Sequence, residues 1–358
     1  MSKEASARRG PATIQMVADR ARVSPKTVSR VINNEPGVRG DTRDRVLDTI
    51  RQLDYQPNLN ARGLAGARSF LIGLFYDKPG DYLNEFQTGA VQRCRESDLH
   101  LMVQPLDIAS KDMARDVSML ARQLRLEGAI LLPPFSDHPV VRKALADAGV
   151  PAVHIAPIHE PIDSPSVDTD DRAAARRMTM QLLQRGHRRI GFMLGAAGHR
   201  ATEQRYLGFA DAMHAHSYSI DPELVQTGNF EFADGLECAR RILGARLQPT
   251  AIFASNDDMA AAAACVARQM GLDVPGQLSI AGFDDAPIAS MIWPQLATVH
   301  QPVREMARLA VDLIVEHRPH RRGWPQPIPR PRLDLELVMR GSIAPSVERG
   351  DARAGKPP

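Results

Sequence analysis

Two sets of residues in this chain have types and spacings that suit chemistry. The first is "SPKTVSRVIN", Ser24 to Asn33. Read as a helix capped by Ser24 with Pro25 at its first position, it turns Val28, Val31 and Ile32 inward. Pro25, Lys26, Ser29, Arg30 and Asn33 are left outward. Lys and Arg on such a face can donate to guanine O6 and N7 in a major groove. The hydroxyls of Thr13, Ser24, Thr27 and Ser29, with the helix N-termini, suit phosphate oxygens and would fix the register. The second set is dispersed over the last three quarters of the chain: Asp77, Tyr82, His199, Arg205, Phe230, Asn256 and Asp284. Carboxylates, amides and guanidinium groups supply the paired donors and acceptors that a polyol needs. Aromatic rings supply an apolar face.

Elements must position the first set. Ile14, Val17, Ala18 and Ala21 recur at helical spacing, and Thr13 stands where an N-cap belongs. A third helix is expected in "DTRDRVLDTIRQLDY", with Val46, Leu47, Ile50 and Leu53 apolar. Two helices joined by a tight turn, the second presenting Lys, Arg and Ser, describe a helix-turn-helix. Periodicity alone leaves a three-helix protein-interaction module open. Charge leans toward a polyanion: residues 1–69 hold 13 Lys/Arg against 7 Asp/Glu, within a 358-residue chain whose net charge is only +3.

From Phe70 onward, short apolar runs alternate with helical stretches. "FLIGLFY" (70–76), "HLMVQP" (100–105), "GAILLP" (128–133), "PAVHI" (151–155), "RIGFML" (189–194), "TAIFAS" (250–255) and "LSIAGF" (278–283) read as strands. Between the first four lie helices near 83–97, 111–126 and 138–148. Near-continuous apolar strands in βα units imply parallel sheets covered on both faces, and the length suits two lobes. Ligands in such lobes bind outside the carboxyl ends of strands, where the second set lies.

The motifs narrow the classes. No dinucleotide fingerprint follows the first strand, because "LGAAGH" (194–199) has the wrong spacing. No P-loop, nucleophile elbow or zinc-protease motif is present. Neither an enzyme nor a metal site nor a bound cofactor is expected. Cys94, Cys238 and Cys265 fit neither a disulfide framework nor metal spacing, so reduced thiols in a cytoplasmic protein are expected. No apolar run approaches the ~18 residues that span a bilayer, and the N-terminus lacks the apolar stretch of a secretory signal.

The run from Thr13 through "RVSPKTVSRVINNEPGVRGDTRDRVLDTIRQLDYQPNLNARGL" resembles the DNA-binding head of the lac/gal repressor family. "QRGHRRIGFMLG" (184–195), "EQRYLGFADAM" (203–213), "PTAIFASNDDMAAAA" (249–263), "GQLSIAGFDDAPIASMIWPQLATVHQP" (276–302) and "LELVMRGS" (335–342) resemble that family's sensor core, which is similar to periplasmic binding proteins. The resemblance runs from Thr13 to about Ala344. It implies an all-α three-helix helix-turn-helix head plus hinge helix, then a two-lobed α/β core with parallel sheets.

The implied division is a disordered N-terminus 1–12, head 13–57, hinge 58–69, ligand-binding and dimerisation core 70–344, and disordered tail 345–358. It implies a homodimer on a pseudo-palindromic operator, released by a small effector. A sugar or glycoside is expected first and a purine or nucleoside second. Base reading falls to Pro25, Lys26 and Arg30. Positioning on the backbone falls to Thr13, Ser24, Thr27, Ser29, Asn33, Tyr55 and Asn58. In the hinge, Leu64 would wedge into the minor groove, with Ala61 and Arg62 beside it. Arg205, Phe230, Asn256 and Asp284 match ligand positions of the family well; Asp77 and Tyr82 match less closely.

Other roles stay open. Asn256 and Asp257 suit capping of the following helix, with Asp257 the expected cap. Arg205 suits a lobe-bridging ion pair, and His199 a solvated loop. Asp285 is expected to be structural, and Asp170 and Asp171 to cap a helix near a lobe crossover. Two departures from the family pattern stand out. Arg22 occupies a turn position usually held by Gly. Arg39 replaces a Ser cap, so Asp41 is expected to take over capping and shift the third helix.

Overall fold

The computed structural model describes residues 12–32, 35–55, 69–317 and 324–346. Asn33, Asn58, Ala61, Arg62 and Leu64 lie outside them, as does nearly all of the expected hinge. The chain divides into two compact units between Ser69 and Phe70.

The first unit holds three helices: α1 (Ile14–Ala21), α2 (Pro25–Ile32) and α3 (Gly40–Leu53). Thr13 caps α1 by accepting the Met16 N–H at 3.3 Å. Arg22 closes α1 in the left-handed region, φ 53° and ψ 48°. The Arg45 guanidinium donates to the Ala21 carbonyl at 3.0 Å, in the last turn of α1, where carbonyls have no partner within the helix. Val17, Ala18, Ala21, Val28, Val31 and Val46 form the core. Two expectations for α3 change. The helix starts at Gly40 after Arg39, and Asp41 sits in its first turn, accepting the Thr42 N–H at 2.8 Å instead of capping. Leu47 is exposed, and Thr49 is buried in its place, its hydroxyl satisfied by the Arg45 carbonyl.

The second unit has two lobes. The first contains β1 (Leu71–Tyr76), α4 (Asp81–Glu96), β2 (His100–Pro105), α5 (Met113–Gln123), β3 (Gly128–Leu131), α6 (Pro139–Asp147), β4 (Ala152–Ile155) and β5 (Ser166–Thr169). The chain then enters the second lobe with α7 (Asp171–Gln184), β6 (Ile190–Leu194), α8 (Arg200–Ala215), β7 (Val225–Thr227), α9 (Phe232–Gly244), β8 (Ala251–Ala254), α10 (Asp257–Gln269), β9 (Ser279–Ala281), α11 (Pro287–Met291) and β10 (Thr298–His300). It returns to the first lobe for α12 (Val303–His317) and β11 (Arg332–Leu333), and ends in the second with β12 (Glu336–Val338). Three crossings therefore join the lobes.

The first sheet runs β11-β5-β4-β3-β1-β2 and the second β7-β6-β8-β9, both parallel; β10 and β12 form an antiparallel pair. β3 and β8 are buried at every residue, as strands covered on both faces must be. α12 returns to pack Met306, Ala307, Ala310 and Ile314 against Ile72, Ile130 and Val153 of the first sheet. The seven strands expected from the sequence are present. β5, β7, β10, β11 and β12 are additional. No helix among the described residues is long and apolar enough to cross a membrane.

Candidate nucleic-acid interface and ligand cleft

On the head, Ser24 accepts the Thr27 N–H at 3.2 Å, and its hydroxyl meets Thr27 Oγ1 at 3.0 Å. This fixes the N-terminal turn of α2. Lys26 and Arg30, one helical turn apart, are both exposed on α2, while Val28 and Val31 are buried beneath. Pro25 and Ser29 are half-buried at the edge of the same face. Arg30 lies 3.7 Å from the Glu35 carboxylate. Tyr55 is 8% exposed and belongs to the head's core, so its ring packs there.

In the second unit the elements converge on one place. Arg205, from the first half of α8, is 3% exposed. Its Nε–H donates to Asp171 Oδ1 at 2.8 Å, and its Nη1 donates to Asp284 Oδ1 at 3.2 Å and to the Ser255 carbonyl. The guanidinium stacks 3.7 Å above the Phe283 ring. Asp284 also accepts the Gln301 side-chain N–H at 2.5 Å. Burial pushes the Asp284 carboxyl up to about 6, while Arg205 and Gln301 pull it back down. Tyr82, at the start of α4 in the other lobe, feels the charges of Asp171 and Asp284. Burial, then those charges, hold its phenol well above the ordinary range.

Asp171 escaped the sequence reading. It is buried and accepts both Arg205 and the Thr169 hydroxyl, the latter at 2.7 Å, while Asp170 caps α7 through the Ala173 N–H. The doublet "DD" signalled a cap, and only the fold assigns the second carboxylate to Arg205.

The cap expected at Asp257 is made by Asn256 instead. Asn256 is the cap of α10, accepting the Met259 N–H at 3.1 Å and donating to the Phe230 carbonyl at 2.7 Å. Asp257 is fully buried, accepting the Thr298 hydroxyl at 2.6 Å and the Ala286 N–H at 2.8 Å. It braces α10 to the loop that carries Asp284. Gly282 allows this, since a Cβ there would lie 2.1 Å from the Asp257 carboxylate. Asp285 is structural, as expected, bonding Arg340 at 2.6 Å and His300 at 3.0 Å.

Phe230 adopts a left-handed backbone, φ 63°, and lays its ring on Gly195, where any Cβ would collide with it. His199 stands edge-on to that ring at 5.6 Å. Burial, with the Arg205 and Lys78 charges, lowers the His199 pKa and favours the neutral ring, against the pull of Asp77. Two ion pairs join the lobes here. Lys78 meets Glu231 at 2.5 Å, and Arg200 meets Asp168. The carboxylates of Asp77, Asp81 and Asp258 make no hydrogen bond or ion pair among the described residues. Burial and the charge of Asp81 raise the Asp258 pKa. Ring contacts, hydrogen bonds and charge couplings thus link Asp77, Tyr82, His199, Arg205 and Asp284, and join Phe230 to His199 and Asn256. No group of His, Cys, Asp and Glu able to hold a metal occurs among the described residues.

The chain is 32% identical over 345 residues to the HTH-type transcriptional repressor PurR of Haemophilus influenzae, covering 93% of this chain and 98% of that one. It belongs to the LacI family of bacterial transcriptional regulators. The family model for bacterial regulatory proteins of the lacI family matches residues 13–58, and that for a periplasmic binding protein-like domain matches residues 179–343. Catabolite control protein A of Priestia megaterium is 30% identical over 312 residues, 85% of this chain and 92% of that protein. Among solved structures, a lac repressor dimer bound to operator and the anti-inducer ONPF is 25% identical, with a TM-score of 0.79 over 94% of this chain and all of that one. The CelR–cellobiose complex is 27% identical, with a TM-score of 0.71 over 92% of this chain and 99% of that one. As a LacI-family protein, this chain is a DNA-binding transcriptional repressor.

Proposed function

We propose that this LacI-family repressor acts in the cytoplasm as a homodimer on a pseudo-palindromic operator, and that it releases DNA when an uncharged sugar or glycoside closes its cleft. Pro25, Lys26 and Arg30 read bases. Thr13, Ser24, Thr27 and Ser29 hold the backbone. The cleft binds its effector without turning it over.

The observation that carries the effector class is the Arg205 network. Its guanidinium is neutralised by Asp171 and Asp284, and each lobe contributes polar groups to the same cleft. Lys78 and Arg200 are likewise matched by Glu231 and Asp168, while the Asp77, Asp81 and Asp258 carboxylates have no ion-pair partner among the described residues. A cleft with surplus carboxylates disfavours a phosphorylated or carboxylated ligand, since like charges repel strongly where water is scarce. Paired acceptors and donors beside an aromatic wall suit hydroxyls on a ring. The Phe230 ring also offers a stacking face to a planar base, which favours a purine or nucleoside as the second reading.

A thermal-shift panel of neutral sugars, their phosphates and nucleosides tests the class, because a ligand of the native state raises the melting temperature. A neutral sugar is expected to raise it and to weaken operator binding, by linkage between the two sites. A shift with sugar phosphates alone, or a shift that leaves operator affinity unchanged, would sink the proposal.

A further inference from the structure

We propose that Glu35 is a positioning residue for base reading, holding the Arg30 guanidinium by its Nε edge so that the two terminal amino groups stay available for one guanine. The inference rests on Arg30 being a base reader.

Glu35 lies beyond the end of α2, but its backbone is tied to that helix. Its N–H donates to the Arg30 carbonyl at 2.9 Å. Its own carbonyl accepts Arg43 Nη2, from α3, at 2.9 Å. The carboxylate is therefore delivered beside Arg30 by two anchors that do not involve its side chain. The closest approach of the ion pair is at Nε, 3.7 Å from Glu35 Oε2, a charge contact longer than a hydrogen bond. That choice of nitrogen matters. Bidentate recognition of guanine O6 and N7 needs two N–H groups in a fixed fork. A carboxylate across the terminal nitrogens would compete with the base, whereas one at Nε leaves the fork open.

The pair is half-exposed, with 47% and 49% of the two side chains accessible, so it adds little to folding. Its value lies in the complex. A long Arg side chain loses rotamer freedom when it docks, and a partner that already restricts it lowers that loss. The same carboxylate also repels phosphates. Arg30 is thereby steered away from sequence-independent backbone contact, which carries no information about bases.

The test is selection of the full-length protein on a library of duplexes with a randomised palindromic core, repeated for Arg30→Ala, Glu35→Ala, Glu35→Gln and Glu35→Asp. Wild type is expected to enrich guanine at one position of each half-site, and Arg30→Ala to lose that preference. Glu35→Ala and Glu35→Gln should weaken it about tenfold at the same position, with preferences elsewhere unchanged. Glu35→Asp should restore part of it, which a purely structural role would not require. Melting temperatures of all variants guard against unfolding. If Arg30→Ala leaves every preference intact, the base-reading assignment fails and the proposal with it. If Arg30→Ala loses the guanine but both Glu35→Ala and Glu35→Gln keep it, the positioning role alone is overturned.

Discussion

At the residue scale, the cleft turns on a carboxylate kept in two minds. Asp284, with 21% of its side chain exposed, bonds Arg205 and Gln301 and feels the charges of Asp171 and Asp258, and desolvation pushes its pKa up to about 6. The sign of the consequence is opposite for folding and for binding. A carboxyl raised in the folded state holds more protons than the unfolded chain between about pH 4 and 6. Its contribution to stability therefore grows as pH falls through that window. Hydroxyl recognition moves the other way, because the neutral acid is a weaker acceptor. Effector affinity is expected to drop about tenfold from pH 7 to pH 5, as the ionised fraction of a group with a pKa near 6 falls. Titration calorimetry at the two pH values checks it. Asp284→Asn should bind more weakly and lose most of the pH dependence; an equally steep profile in that variant would move the titrating group elsewhere.

The residue scale also marks how far types and spacing carry. Arg205, Phe230 and Asp284 were legible because the motif and the strand-end rule point to the same loops. The bonds that Asp171 and Asp257 make inside the fold were not. In each case two adjacent polar residues precede a helix, and either suits a cap by type. What separates them is backbone direction: Asn256 has the extended backbone of a cap, and Asp257, one residue inside the helix, points to Thr298 and Ala286. Tyr55 is a similar case, a ring whose hydroxyl suits phosphate by chemistry but whose position after α3 places it in the core.

At the element scale, α1 ends by a costly device. Arg22 holds the left-handed conformation at φ 53° so that its N–H and that of Val23 can turn back to the last carbonyls of α1. A side chain in that region costs about 1 kcal/mol against Gly. Arg22→Gly is accordingly expected to stabilise the head by up to about 1 kcal/mol in denaturant melts, less what the more flexible unfolded chain takes back. A destabilised Gly variant would show that the Arg22 side chain contributes a contact worth more than the strain. The strands tell a parallel story about legibility. Long apolar runs such as "FLIGLFY" announce themselves, whereas β7 is three residues of mixed polarity and β5 is "SVDT". Such short strands exist because neighbours on a sheet supply their hydrogen bonds, which no local pattern records.

At the scale of the whole molecule, function depends on how firmly the lobes are held together. Two ion pairs cross the cleft, and they differ in setting. Lys78–Glu231 is solvent-washed, with 61% and 50% of the side chains exposed, whereas Arg200–Asp168 is sheltered at 18% and 15%. Exposed pairs contribute about 0–1 kcal/mol, and salt screens them. Each pair spans the two lobes, so if lobe opening separates its partners, its loss is expected to shift the population toward the open form. An effector that selects the closed form then binds with lower apparent affinity by the same factor. Lys78→Ala is expected to raise the effector concentration needed for half-release from operator by no more than about fivefold, an effect that should fade in high salt. Arg200→Ala should raise it further and keep its effect in salt, because Asp168 would be left buried without its cation. Titration of operator complexes at two ionic strengths separates the cases. An Arg200→Ala variant that releases DNA at the wild-type effector concentration would mean that closure is set by the Arg205 network alone, with the crossing pairs following passively.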